Sequence, residues 1–390
     1  MNPSGGETRL GDVIVENPKS TLKVRESISD GEFPFFSSGE VVSSFDKHIC
    51  DGENLFIATG GKASVHYHDG KAAYSTDCFS ITTRAILLPK FLFLFLESIL
   101  PQIDEQMFEG AALRHLQKGR LRDTRMPLPP LPEQRRIVGI LDEAFKYIAV
   151  AKANAQRNRQ GGRALYDSHL HSVFSQRGSE WERLKLSTLL ERGWIESHLD
   201  GNHGSNYPRK QEFVEDGVPY VSANCIDDER VDMSRAKYLS PARAGQLRKG
   251  IARHNDVLFA HNATVGPVAI LRTSEPKVIL STSLTYYRCN PQRILPEYLA
   301  HYMRSFEFKT QYMQVMRQST RNQVPITTQR DFFHVVPLLQ EQERIIVALD
   351  GLFENSKRLD RIYRKKVAAL EALRQSLLHR GVNGSLLNRP

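Results

Sequence analysis

Two segments of the chain place mostly apolar residues at alternating intervals of four and three positions, the spacing of a and d positions in a coiled coil. This pattern predicts two long helices. Side chains are smaller in the first segment than in the second, which favours pairing of the two helices with each other, because small residues accommodate large ones. The alternative is that each helix packs only on its own domain. The predicted contact positions are Ile137, Leu141, Ala144, Ile148, Ala151, Ala155, Asn158, Gly162, Leu165 and His169 in the first helix and Ile345, Leu349, Leu352, Ser356, Leu359, Tyr363, Lys366, Leu370, Leu373 and Leu377 in the second.

Shorter apolar stretches bounded by turn residues precede each predicted helix and indicate β-strands. A proline opens a short apolar helix in each of these regions, as Pro is tolerated at a helix start. The sequence therefore predicts two mixed regions of strands and helices. The predicted strands cover residues 55–58, 78–81, 85–88, 219–221, 257–260, 268–271 and 284–288, and the predicted short helices cover 91–100 and 297–308.

The chain is an internal repeat. Residues 129–142 align with 337–350 at an offset of 208, with Glu133, Gln134 and Arg136 repeated as Glu341, Gln342 and Arg344. Upstream, residues 88–98 align with 295–305 at an offset of 207, and 54–58 resemble 256–260 at an offset of 202. Repeats of this kind indicate duplicated structural units joined by variable loops.

The repeat predicts an α+β architecture with two mixed α/β domains in a pseudo-two-fold arrangement. Two long helices that pair as an antiparallel coiled coil separate the domains. We expect a first domain at 1–131, a first helix at 132–177, a second domain at 178–338, a second helix at 339–383 and a tail at 384–390. Gly161 and Gly162 mark a weak centre of the first helix, where it could fray or bend. Two similar domains that are held apart by helices are suited to recognise two separated half-sites on a nucleic-acid duplex.

The composition favours a globular protein with a polyanionic partner. The chain has 390 residues, 40% of them hydrophobic, and a formal net charge of +9. Four separated cysteines show no metal-ligand spacing and predict reduced thiols in a cytoplasmic protein. The start of the chain resembles no secretory signal, and its most apolar stretch, residues 91–96, is far shorter than the roughly 20 residues that span a bilayer.

Basic residues cluster at equivalent places, just before each long helix. Residues 110–136 include seven basic and two acidic side chains, and residues 304–330 include five basic and one acidic. Positive potential is therefore expected at two equivalent sites, although a solvated basic loop is the alternative interpretation. The basic residues are Arg114, Lys118, Arg120, Arg122, Arg125, Arg135 and Arg136 in the first cluster and Arg304, Lys309, Arg317, Arg321 and Arg330 in the second.

Arginine beside Asn and Gln is suited to reading base edges, because Arg pairs with guanine and Asn or Gln pairs with adenine. Loops after two predicted strands add Gly, Thr, Lys and His residues that could approach a phosphate or enter a groove, although each histidine could equally be an ordinary surface residue. The loops differ between the halves, so the halves should prefer different bases. The candidate DNA contacts are Thr59, Gly60, Lys62, His66, Tyr67, Arg114, Lys118, Arg120, Arg122, Tyr207, Arg209, Asn224, His261, Asn262, Thr264, Arg317, Arg321, Asn322, Gln323 and Arg330.

Sequence signatures of catalysis are missing. We find no phosphate-binding loop for ATP, no Asn/Asp-Pro-Pro-aromatic motif of amino-methyltransferases and no Gly-x-Gly-x-x-Gly cofactor loop. His66 and His68 stand without the paired carboxylates or cysteines of a metal site. The sequence therefore predicts recognition without catalysis, and an independent nuclease or methyltransferase is disfavoured.

The proline-rich string at residues 127–137, its second copy at 337–345 and the repeated domain-helix plan resemble the specificity subunit of type I restriction-modification systems. The second copy departs from the pattern, because Pro337 is followed by Leu338, Leu339 and Gln340 rather than by further prolines. The resemblance covers essentially the whole chain.

This resemblance implies a non-catalytic subunit whose two domains each read half of a bipartite double-stranded DNA target, while the helices set the spacer. It also implies two adenine-N6 methyltransferase subunits and restriction subunits as partners, with S-adenosylmethionine, ATP and Mg in those partners rather than here. The resemblance further implies that six residues contact the methyltransferase subunits or fix the helix starts, namely Glu133, Gln134, Arg136, Glu341, Gln342 and Arg344. The alternative function is a coiled-coil scaffold with only nonspecific nucleic-acid affinity.

Overall fold

The computed structural model describes residues 6–176, 178–227, 229–318 and 322–383. Its internal contacts divide the chain into unit 1, residues 1–156 with 365–390, and unit 2, residues 157–364. The two long helices are Leu131–Ser175 and Leu339–Val382, and each unit contains part of both. The limits expected for the recognition domains remain predictions.

Unit 1 is built on an antiparallel sheet of four strands in the order Ile14–Glu16, Cys78–Thr83, Glu53–Ala58 and Val65–Asp69. A smaller sheet contains Ser43–Phe45, Phe33–Phe36 and Ala73–Tyr74. Two strand pairs, Glu7–Arg9 with Arg125–Pro127 and Phe108–Glu109 with His115–Leu116, complete the strands described here. The helices are Leu10–Val13, Pro89–Ser98, Leu100–Gln106 and Lys118–Asp123, with a 3-10 turn at Val24–Glu26.

Unit 2 repeats this plan with larger sheets. Six strands follow in the order Ile195–Asp200, Leu284–Cys289, Val257–Asn262, Thr264–Ile270, Arg230–Val231 and Ile226–Asp227. Five more are Phe213–Val214, Lys237–Leu239, Val218–Val221, Val278–Leu280 and Ile251–Ala252, and Glu182–Lys185 pairs with Phe333–Val336. The helices are Leu186–Glu191, Pro241–Gln246, Pro296–Arg304, Phe306–Arg317 and Ile326–Gln329, with 3-10 turns at Gly204–Asn206, Lys210–Glu212, Ala223–Cys225 and Met233–Arg235.

The predicted mixture of strands and helices is confirmed, with two local corrections. Residues 85–88 form no strand, because the chain turns there: the Leu87 amide donates to the Arg84 carbonyl at 3.0 Å, and the Leu88 amide donates to the Gln134 side chain at 2.8 Å. The helix predicted over 297–308 is two helices. Ser305 has an extended ψ of 161° and its hydroxyl accepts from the Phe308 amide, so it ends one helix and caps the next.

The long helices pack against each other in antiparallel fashion within each unit. In unit 1, Lys152 pairs with Glu371 at 2.6 Å, and the Arg374 guanidinium lies 4.6 Å from the centre of the Phe145 ring. In unit 2, Arg159 lies 3.4 Å from Asp360. The ring centres of Tyr166 and Phe353 are 5.3 Å apart.

Near the helix starts, the predicted contact positions are the buried ones. Farther along the first helix, the buried residues lie one position later than predicted. Leu165 and His169 are exposed, whereas Tyr166, Leu170 and Phe174 are buried. In the second helix, Lys366 and Leu373 likewise face solvent. An α-helix has about 3.6 residues per turn, so a strict 3.5-residue pattern drifts off the contact face over several turns.

Gly162 is a point of close approach rather than a break. The first helix continues through Gly161 and Gly162, so the glycines do not interrupt it, and a bend at this place stays a prediction. A β-carbon at Gly162 would lie 3.3 Å from a methyl carbon of Leu359. The small-against-large packing expected from the sequence is confirmed at this contact.

Candidate nucleic-acid interface

A loop that follows the central strand of unit 1 is joined to the segment that precedes the Lys118–Asp123 helix. The Leu116 amide donates to the Thr59 carbonyl at 3.0 Å, and the Gly61 amide donates to the Arg114 carbonyl at 2.9 Å. Gly61 has a φ of +79°, a left-handed conformation that glycine adopts without strain. The candidate residues Thr59, Gly60 and Arg114 are therefore brought together.

Unit 2 contains the same junction at the repeat-equivalent positions. The Val324 amide donates to the His261 carbonyl at 2.8 Å, and the Ala263 amide donates to the Asn322 carbonyl at 2.9 Å. These positions are offset by 202 and 208 residues from their partners in unit 1, as in the sequence alignment. The candidates Asn262, Thr264, Asn322 and Gln323 therefore lie together on the second junction.

The two junctions present different side chains on one backbone plan. The strand-like bridge between Gly60 and His115 in unit 1 corresponds to the bridge between Asn262 and Gln323 in unit 2. His115 is exposed, and sequence reasoning missed it as a candidate, although the offset of 208 pairs it with Gln323. Imidazole and amide groups at matched positions can both form hydrogen bonds to base edges, but with different patterns of donors and acceptors.

Other loops adjoin these junctions. In unit 1 the Ser38 hydroxyl accepts from the amides of Thr59 and Gly60 at 3.1 and 3.3 Å. In unit 2 the amides of His261 and Ala223 both donate to Ser283, which places the exposed Asn224 in a segment tied to the base of the loop. Tyr207 and Arg209 are exposed in the connection after the Ile195–Asp200 strand.

A cleft of about 260 Å³ opens beside the junction of unit 1. Thr59, Thr76, Lys19 and Lys118 contribute to its walls, together with the Phe79 ring, which lies 4.3 Å from the Lys118 ammonium group. Burial lowers the pKa of Lys118. Lys19 was not among the sequence candidates, because it stands outside the basic clusters and reaches this cleft only through the fold.

Three candidates are unsuited to direct contact with DNA as they stand. His261 is 1% exposed, and its Nδ1 lies 2.9 Å from the Val324 carbonyl oxygen. Tyr67 faces the Pro89–Ser98 helix, where its ring lies 5.9 Å from that of Phe93 and its hydroxyl donates to Glu53 at 2.5 Å. His66 is half-buried with its ring near Phe36 and its Nε2 atom enclosed.

The basic clusters are less positive than the linear sequence suggests. Arg114, Arg120 and Arg122 pair with Asp104, Glu109 and Glu16 at 3.2, 2.5 and 2.6 Å. Arg304 is 7% exposed and lies 3.5 Å from Glu229. Acidic residues outside each cluster therefore offset part of its charge, which corrects the expectation of two concentrated positive sites. Arg317 and Arg330 are exposed, and Arg321 lies outside the described residues.

The six residues expected at the helix starts fall into two groups. Gln134 and Gln342 are fully buried, so the structure rules out their exposure to a partner. Gln134 accepts from the Leu88 amide and donates to two carbonyl oxygens, and Gln342 repeats this arrangement with the Leu295 amide. Both side chains fix the helix start. The neighbouring pairs, Glu133 with Arg136 and Glu341 with Arg344, are partly exposed at 3.2 and 3.3 Å.

Two features are absent from the described residues. None of the helices there is long and apolar enough to cross a membrane. Within the same residues, no group of three or more His, Cys, Asp or Glu side chains could hold a metal ion.

Comparison with known proteins identifies the class to which this fold belongs. Residues 6–157 match the family model of the type I restriction modification DNA specificity domain. A chain from a structure described as the basis of complex assembly and conformational transition of the type I R-M system matches 98% of this chain and 99% of its own length, with a TM-score of 0.72 and 18% identity. The HsdS subunit of Thermoanaerobacter tengcongensis matches 99% of this chain and 98% of its own length, with a TM-score of 0.52 and 19% identity.

Two curated relatives extend the likeness. The type I restriction enzyme EcoBI specificity subunit of Escherichia coli is 22% identical over 71% of this chain, and the match spans 61% of that relative. The MjaVIII specificity subunit of Methanocaldococcus jannaschii is 18% identical over 97% of this chain and 92% of its own length. Residues 6–157 therefore match the type I restriction modification DNA specificity domain, and the resemblance of the chain to HsdS specificity subunits is confirmed.

Proposed function

We propose that this chain is the non-catalytic DNA-specificity subunit of a type I restriction-modification complex. Each recognition domain reads one half of a bipartite duplex target, and the long helices set the unread spacer. The observation that carries the proposal is the repeated junction. Its backbone hydrogen bonds are the same in both units, while its side chains change from Gly60 and His115 to Asn262 and Gln323. A shared backbone with different polar side chains suits two readers of different base sequences.

Partners supply the chemistry in this proposal. Two methyltransferase subunits dock on the helices and the adjoining surfaces, where the Glu133–Arg136 and Glu341–Arg344 pairs are partly exposed. They would transfer methyl groups from S-adenosylmethionine to adenine N6, and restriction subunits would use ATP and Mg. The scaffold alternative predicts that the side chains of the matched junctions have no effect on DNA preference.

The test is co-expression with the modification subunit, followed by mapping of methylated adenines. The expected result is a split motif with a constant spacer. His115→Ala should relax the first half of the motif alone, and its matched variant Gln323→Ala should relax the second half alone. Each well-made base contact contributes about 1–3 kcal/mol of discrimination, so the change should be visible as additional methylated sequences.

A chimera separates recognition from scaffolding. Replacing residues 1–130 with the same region of a relative should change one half of the motif and leave the other unchanged. Methylation without a bipartite motif would refute the proposal, and an unchanged motif in the chimera would favour the scaffold.

A further inference from the structure

A hairpin of unit 2 reaches both long helices. Its strands are Ile226–Asp227 and Arg230–Val231, at the edge of the six-stranded sheet. One guanidinium nitrogen of Arg230 donates to both carboxylate oxygens of Glu354 on the second long helix, at 2.7 and 2.8 Å. The six-stranded sheet of unit 2 is thereby attached to the second long helix.

Glu229, at the tip of this hairpin, is surrounded by cations from three different helices. Its carboxylate lies 3.0 Å from Arg163 on the first long helix, 3.5 Å from Lys357 on the second and 3.5 Å from Arg304 on Pro296–Arg304. Its side chain is only 17% exposed. Burial acts to raise the pKa of Glu229, but the three cations outweigh burial and hold the pKa below its usual value.

Glu229 also holds an unusual backbone conformation. Its φ is +63°, in the left-handed region that residues with a β-carbon adopt at a cost. A residue stays in such a conformation when its surroundings fix it. Glu229 lies in the tight connection between the two strands of the hairpin, where a positive φ is commonly required, and its carboxylate is held there by the surrounding cations.

A second set of contacts bridges the same elements. His301, on the Pro296–Arg304 helix, lies 2.9 Å from the Tyr166 hydroxyl of the first long helix and 2.8 Å from Asp350 of the second. The Arg304 guanidinium lies 4.7 Å from the centre of the Phe353 ring. Polar contacts with defined directions therefore link the recognition region to both helices.

Unit 1 lacks this arrangement at the equivalent positions. The connection that corresponds to the hairpin, residues 37–42, forms neither strand nor helix. At an offset of 207, His301 and Arg304 correspond to Leu94 and Glu97. Leu94 is buried in the apolar core, and Glu97 pairs with Arg374 at 2.7 Å. The hairpin contact is thus an addition to the shared plan.

We propose that Glu229 and its hairpin act as a positioning strut that fixes the angle of the second recognition domain on the helices and thereby sets the spacer length that the protein accepts. This inference rests on the proposed function. A buried ion cluster contributes little net stability, because desolvation of the charges offsets their attraction. Its three ion pairs form together only when the three helices and the hairpin hold one relative position.

The test measures DNA binding by the full chain with its modification subunits. Duplexes carry the motif found by methylation mapping, with its natural spacer or with one base pair added or removed. Glu229→Gln should lower the preference for the natural spacer by about fivefold or more, the lower end of typical coupling between sites in one protein. Affinity for a duplex with only the second half-site should stay within about twofold, because the reading loops are untouched.

Matched variants guard against misfolding and local effects. Arg163→Gln removes a cation of the cluster from the helix side and should reproduce the loss of spacer preference. Asp227→Asn changes an exposed carboxylate in the same hairpin that pairs with Arg235 rather than with the long helices, and should leave the preference intact. Melting temperatures identify any variant that fails to fold. If Glu229→Gln fails to fold, the spacer preference of Arg163→Gln is the deciding measurement.

The outcomes are distinct. An unchanged spacer preference in Glu229→Gln and Arg163→Gln would overturn the strut, as would an equal loss of affinity for every spacer. A wild-type complex with no spacer preference would instead refute the proposed function, and the strut with it.

Discussion

At the scale of single residues, Gln134 and Gln342 show why one side chain recurs in both halves. Each amide group accepts one backbone hydrogen bond and donates two, at distances of 2.8 to 3.0 Å. The bonds join the start of a long helix to the turn that precedes a short helix. Glutamic acid could accept but could not donate in its ionised form, which explains the choice of glutamine.

Replacement of Gln134 by Met should destabilise the chain by about 2–4 kcal/mol, because an amide and two carbonyl oxygens would lose their partners in a buried place. Urea denaturation measures the change. The control is Arg135→Met at the exposed neighbouring position, expected within about 0.5 kcal/mol of the wild type. Equal effects of the two variants would contradict this role for the amide.

His334 makes a second prediction at the residue scale. It is 1% exposed, and burial lowers its pKa from 6.5 to about 4. Between those values the unfolded chain binds a proton that the folded chain does not. The contribution of neutral His334 to the free energy of unfolding is therefore fully present above pH 6.5. It decreases by about 1.4 kcal/mol per pH unit as the pH falls towards 4.

The variant His334→Met introduces the residue found at the equivalent position of the first half, Met126, which is fully buried. Denaturation of this variant at pH 7 and pH 5 should show a smaller loss on acidification than the wild type shows. His254→Met is the control, because His254 is exposed. An undiminished acid sensitivity in His334→Met would show that other groups cause it.

At the scale of elements, adjacent glycines in the first long helix have different roles. A β-carbon at Gly161 would meet nothing within 4 Å, whereas one at Gly162 would lie 3.3 Å from Leu359. Gly161 therefore adds only backbone freedom to the unfolded chain, and Gly162 sets how closely the helices approach.

Gly161→Ala should stabilise the chain by about 0.5–1 kcal/mol, the usual gain for alanine over glycine inside a helix. Gly162→Ala should gain clearly less, because Leu359 must shift to admit the methyl group. Thermal denaturation of the two variants side by side gives the comparison. Equal stabilisation would mean that the helices tolerate the extra methyl without cost.

At the scale of the whole molecule, the proposed helix spacer predicts a quantitative change in the DNA target. One heptad inserted into each long helix, beside the 3.1 Å contact between Asn158 and Tyr363, adds about 10 Å of helix. This length corresponds to about three base pairs at 3.4 Å each. Methylation mapping should therefore find the same two half-motifs with a longer spacer.

Insertion into the first helix alone is the matched control, because it displaces one contact face relative to the other without lengthening the pair. An unchanged spacer after insertion into both helices would contradict the proposed ruler. The half-motifs themselves should not change, because the junctions at Thr59 and His261 are untouched.

The amino-acid sequence by itself determined the repeat, the two long helices, six of the strands and the short helices after Pro89 and Pro296. These features depend on local spacing and on residue types that recur at a fixed offset, and both can be read along the chain. The offsets of 202 and 208 seen in the sequence are also the offsets that relate the two junctions.

Only the tertiary structure decided which of the candidate side chains are exposed and unpaired enough to contact DNA. His261 is buried, Tyr67 faces a helix, and Arg114 pairs with Asp104, a residue outside its cluster. The cations around Glu229 are likewise distant in the sequence. Burial and ion pairing depend on neighbours that folding brings from remote parts of the chain, so a count of charges within one segment cannot supply them.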